Sequence, residues 1–101
     1  MAASESLFLV VHFHAKPDRA EELKQRLLAL LPEVHKEDGC IAYNLHVDDA
    51  DPLHFIFTEE WANRDQWERE HLAQPHILAI NDDAPDMVSE APTLYCMTRL
   101  G

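Results

Sequence analysis

The residues best suited to chemistry in this chain are histidines set among aromatic and carboxylate side chains. His12 and His14 lie two apart in Leu7–Ala15, a stretch rich in β-branched and aromatic residues. In a strand that spacing puts both on one face, with Val11 and Phe13 on the other. His46 follows Asn44 at the same spacing in a second such stretch. Trp67 and His71 are four apart, which on a helix gives them a shared face. A histidine near neutrality, held against tryptophan, suits the removal of a proton from an acidic phenol. Each residue also has a plainer reading. Strand histidines often sit at a solvent edge or are satisfied in a core, and Trp61 and Trp67 are natural core residues.

Other chemistries find less support. The pair His12 and His14 permits metal ligation, but no His-Glu-x-x-His, Cys-His array or two-histidine, one-carboxylate spacing is present. No Gly-x-Ser-x-Gly elbow occurs, and Cys40 has no evident base. Gly39 and Gly101 are the only glycines, so no glycine-rich phosphate loop exists. Cys40 and Cys96 match no ligand spacing and are expected to be reduced, mostly buried thiols.

The whole-chain balance narrows the partners. A net charge of −11 opposes nucleic acid and anionic membrane surfaces, which demand clustered Lys and Arg. Nothing approaches the roughly 18 apolar residues of a membrane span. Met1 to Ser6 carries no positive charge and Leu7–Val11 is too short for a signal segment, so the expected location is the cytoplasm. With 101 residues, 47% of them apolar, the chain fits one domain over 1–101, its core spanning about 7–100.

The elements that must position these side chains follow in order. After the first strand, Asp18 suits a helix N-cap with Glu21 three residues on. Leu23, Leu27, Leu30, Leu31 and Val34 form an apolar stripe, with Pro32 predicting a kink or break around Leu28 to Leu31. Glu37-Asp38-Gly39 stops the helix. Cys40–Val47 then alternates, placing Ile41, Tyr43, Leu45 and Val47 on one side. The acidic stretch Asp48 to Pro52 turns the chain into Leu53–Trp61, with Phe55, Phe57, Glu59 and Trp61 on one face. Asn63 caps a second helix, Pro75 punctuates it, and His76–Asn81 gives a further helical turn. Asp82 to Pro92 reads as a loop before a last strand, Thr93–Arg99. Two strand-helix-strand units in succession predict an α+β, ferredoxin-like βαββαβ fold. Its four-stranded antiparallel sheet would carry both helices on one face, leaving the other to be covered by a second copy in a homodimer.

At this level the sequence resembles a known family. Phe57-Thr58-Glu59-Glu60-Trp61, then Trp67, then His71-Leu72-Ala73-Gln74-Pro75-His76 is similar to the pattern of the antibiotic biosynthesis monooxygenases. That pattern runs aromatic, Glu, any residue, Trp, then a helix ending in His-Leu-x-x-Pro-His. Lys36-Glu37-Asp38-Gly39-Cys40-Ile41-Ala42-Tyr43 resembles the family's turn of acidic residue, Gly-Cys and Tyr, and Asp51-Pro52 also fits. The resemblance covers about Leu7 to Leu100 and is nearest to the quinol monooxygenases. It implies a dimeric α+β barrel with a pocket between sheet and helices. It also implies oxidation of a small quinol or phenolic aromatic by molecular oxygen, with no flavin, haem or metal cofactor. Carried over, His71 is the base, Trp61 and Trp67 line the cavity, and Glu59 orients a donor. Asn44, His12, His14 and His46 are further polar contacts.

The departures are specific. Pro17-Asp18 stands where the family has Pro-Gly. The haem-degrading branch uses an Asn in strand one that is missing here. An isomerase branch acting on a phosphorylated compound would need a phosphate pocket, for which Arg64, Arg69 or Arg99 are the few available cations. An isomerase-type or non-catalytic binding member of the same fold is the alternative reading.

Overall fold

The computed structural model describes residues 6–101, so the reading of Met1 to Ser6 as unlike a signal lies, Ser6 apart, outside the described residues. Four strands, β1 (Leu7–His14), β2 (Cys40–Asp48), β3 (Asp51–Trp61) and β4 (Thr93–Met97), form one antiparallel sheet in the order β2-β3-β1-β4. Three helices, α1 (Ala20–His35), α2 (Arg64–Arg69) and α3 (Pro75–Asp83), complete the expected βαββαβ-like α+β arrangement.

Register decides which side chains meet. Leu9 and Tyr43 flank Glu59 from the two neighbouring strands, and Val11 and Leu45 flank Phe57. This face is buried: Leu9, Phe13, Phe57 and Trp61 pack with Leu23, Leu27 and Val34 of α1 and with Ile77 and Ile80 of α3. The pleat sends the alternate residues to the bare face, where His12 pairs with Ile56, Val10 with Thr58, and Asn44 with Thr58 from the far side.

Several local expectations are corrected. Helix α1 starts at Ala20, and Arg19 rather than Asp18 holds the N-cap position, with no side-chain cap. The amide of Arg19 bonds the carbonyl of Lys16, closing a turn that moves the start by one residue. Pro32 does not break α1, which runs continuously to His35. Pro32 and Leu28 are both exposed, so the backbone hydrogen bond that proline removes is lost on the solvent side of the helix, where it is tolerated. In β2 the register slips between Cys40 and Ala42, and Ile41, the extra residue, is exposed rather than aligned with Tyr43. Helix α3 extends through Asp83, and a short 3-10 turn, Ala84–Asp86, follows inside the stretch expected to be loop. Ala84, Met87 and Val88 are buried there. Cys96 is exposed, not buried.

Candidate functional site

Three segments converge where α1 hands over to β2. Lys36 is the C-cap of α1, and Gly39 takes a positive φ of 85° that only glycine adopts without strain. The amide of Ala62 bonds the Gly39 carbonyl at 2.8 Å, fastening the turn to the end of β3. Asn63 caps α2 as expected, its Oδ1 accepting from the Gln66 amide at 2.7 Å. Helix α2 is only six residues long, so His71 falls in a separate 3-10 turn, His71–Ala73. Pro75 then opens α3, with His76 in its first turn.

At this junction Glu37 turns inward and holds two histidines. Nδ1 of His71 lies 2.9 Å from Oε1 of Glu37, and Nε2 of His76 lies 2.6 Å from Oε2. An ionised carboxylate only accepts, so each of these ring nitrogens donates. The Trp61 ring tilts against His71 with centroids 4.4 Å apart, and Tyr43 meets it edge-on at 6.1 Å. Trp61 Nε1 donates to Oε1 of Glu59 at 2.9 Å, so the donor held by Glu59 is that indole.

His71, Tyr43 and Glu59 are the inward polar groups of a cavity of about 160 Å³, whose apolar walls include Phe57 and Trp67. Three exposed lining residues, Leu72, Asn81 and Leu94, mark its mouth. Trp61 does not line this space; it stands behind His71 and Glu59 as their support.

Burial sets the electrostatics. It lowers the His71 pKa from its ordinary value, against the opposing pull of the Glu37 carboxylate. It raises Glu59 to about 7, with the Trp61 hydrogen bond working the other way. Tyr43 is pushed far upward by burial, then by Glu59 and Glu37, so its hydroxyl stays protonated. Cys40 rises to about 11, chiefly through burial, which makes it a poor nucleophile. With Nδ1 of His71 fixed as a donor, Nε2 remains as the basic nitrogen, the geometry of a general base oriented by a carboxylate.

The other nominated residues lie elsewhere. His12, His14, His46 and Asn44 occupy the bare face of the sheet, so they do not join His71, and the expectation that they add polar contacts to its pocket is corrected. The reason is strand parity: even positions of β1 and β2 share the bare face with His54. There His12 Nδ1 and His54 Nε2 are 2.7 Å apart, His54 reaches Asp48 at 3.0 Å, and His14 stacks on His54. Among the described residues no three His, Cys, Asp or Glu side chains gather in a metal-holding group. Sequence reasoning did not assign Glu37, Tyr43 or His76 to the site. Their residues stand in the quoted motifs, but no periodicity links a helix-stopping Glu37 to histidines more than thirty positions away.

A family profile described as antibiotic biosynthesis monooxygenase matches residues 6–83. Among solved structures, PA3566 from Pseudomonas aeruginosa is 28% identical, covers 98% of this chain and 98% of its own, and superposes with a TM-score of 0.89. A structure described as an antibiotic biosynthesis monooxygenase is 26% identical over 94% of this chain and 99% of its own, with a TM-score of 0.87. Rv0793 from Mycobacterium tuberculosis, 21% identical over 95% and 96% with a TM-score of 0.90, shares the fold. A search of curated proteins finds no significant match.

Proposed function

The chain belongs to the antibiotic biosynthesis monooxygenase family, and from that premise we propose that it oxidises a quinol or phenolic aromatic with molecular oxygen, using no flavin, haem or metal. The observation that carries this reading is His71, held through Nδ1 by a buried carboxylate at the wall of an apolar cavity.

Each feature of the site has a part in such a reaction. Nε2 of His71 takes the phenolic proton, and the resulting phenolate is electron-rich enough to reduce oxygen itself. The cavity of about 160 Å³ suits one or two fused rings and a diatomic gas. Its apolar walls keep water from the reactive anion. Tyr43, protonated at every working pH, donates a hydrogen bond to the substrate oxygen, a charge-assisted contact that strengthens as the phenolate forms. One oxygen atom enters the product and the other leaves as water, the substrate supplying all four electrons.

The same premise leads us to propose a homodimer built on the bare sheet face. β4 is exposed along its whole length, and Tyr95 and Met97 stand on that face with no helix of the described residues over them. A second copy would cover them.

Oxygen uptake with reduced naphthoquinol tests the enzymatic reading. The expected result is consumption above the uncatalysed rate, indifferent to chelators, with His71→Ala lowering it at least about 100-fold. No excess over the blank across a panel of quinols and phenols would refute it.

A further inference from the structure

Orienting His71 needs only one oxygen of Glu37, yet both are used, and they face opposite ways. Oε1 bonds Nδ1 of His71, which lines the inner cavity. Oε2 bonds Nε2 of His76, and Glu37 and His76 both line a separate groove on the outside of the molecule. Side-chain exposure follows the same direction, 6% for His71, 8% for Glu37 and 19% for His76. The three groups therefore cross the wall between the two spaces through unbroken hydrogen bonds of 2.9 and 2.6 Å.

We propose that His76, Glu37 and His71 form a proton relay between the cavity and the outer groove. The relay rests on His71 as the base of the reaction proposed above. When substrate fills the cavity, the reactive nitrogen of His71 faces that substrate rather than solvent, so a proton taken there needs another way out. The outward leg of the relay requires His76 to carry a proton on each ring nitrogen beside the Glu37 carboxylate, and uptake at Nε2 of His71 then sends its Nδ1 proton to Oε1 of Glu37. The neutral carboxyl so formed no longer holds the imidazolium, and His76 releases its Nδ1 proton to water. One proton enters and one leaves. When the reduced oxygen atom departs as water it needs a proton, and the same steps run backwards, restoring the starting tautomers. The groove around His76 is lined by Glu33, Asp38, Glu70 and Lys36, a polar surface open to solvent where the released proton leaves.

The test reads proton movement with and without turnover. Nitrogen-15 spectra of histidine-labelled protein follow exchange of the His71 ring proton with water. In His76→Ala that exchange slows at least about tenfold, and millimolar imidazole restores it by occupying the vacated place. His76→Gln keeps a donor to Glu37 and the fold, yet moves no proton, so it slows exchange equally. Oxygen uptake at low buffer falls in parallel in both variants and recovers with imidazole in the alanine variant. Wild-type exchange in both variants overturns the relay. So does a slow alanine variant beside a normal glutamine one, or a loss that imidazole fails to restore, since contact alone would then explain the geometry. The exchange experiment needs no catalysis. An absence of oxygen uptake with intact, rescuable exchange removes the proposed reaction and leaves the relay standing.

Discussion

Two groups in the cavity have pKa values shifted in opposite directions, His71 down and Glu59 up, and together they set a pH window. As the proposed base, His71 would act only when neutral, and burial lowers its pKa below the ordinary 6.5, so kcat/KM should rise with pH through the acid limb and be complete by neutrality. Glu59, raised to about 7, becomes an anion above neutrality and opposes a phenolate in the same cavity. The expected profile is a bell with its alkaline limb near pH 7, and Glu59→Gln abolishes that limb alone. Stability follows the same signs. The raised pKa of Glu59 stabilises the fold below the ordinary 4.5, and that contribution, about 3 kcal/mol, is lost as pH rises through 7. The lowered pKa of His71 stabilises above 6.5 and is lost as pH falls below that value. Urea unfolding at pH 9 should therefore find Glu59→Gln more stable than the wild type, by about 1–3 kcal/mol. At this scale the sequence pointed to His71, Glu59 and Trp67, because motif and helical spacing are local. It could not reach Glu37 or His76, whose pairing exists only after the turn at Gly39 has folded onto the segment following α2.

At the scale of elements, strand parity separates the cavity residues from the rest. Alternation in β1 and β3 was legible, and it placed Phe57, Glu59 and Trp61 together on one face. What alternation does not say is which face the helices cover, so the histidines of β1 were equally eligible for the pocket until packing decided. The bulge at Ile41 was illegible for a related reason: a strand slips register through its partner, not through its own pattern. The turn before β2 offers the sharpest element-level test. At Gly39, φ is 85°, and a Cβ there would also press on the Gln66 side chain, which can rotate away. The backbone strain stays, so Gly39→Ala should cost about 1–2 kcal/mol by thermal or urea unfolding. Because Glu37 lies two residues upstream, the substitution should also lower activity more than its effect on stability alone requires.

At the scale of the whole molecule, the sheet has one face filled by helices and, among the described residues, one face bare. No helix of the described residues is long and apolar enough to cross a membrane. The bare face mixes apolar residues such as Val10 and Ile56 with the cluster of His12, His14 and His54. The homodimer reading predicts a sedimentation coefficient for twice the chain mass at micromolar concentration. Tyr95 is 56% exposed in the protomer, so Tyr95→Lys should dissociate the pair while leaving each protomer folded. A wild-type monomer at that concentration would remove the reading.

The most direct measurement of the central claim is the fate of the oxygen atoms. Turnover of a naphthoquinol under oxygen-18 gas should place one labelled atom in the product and the other in water, with labelled product falling at least about 100-fold in His71→Ala. Unlabelled quinone accompanied by peroxide, or equal labelling in wild type and His71→Ala, would contradict it.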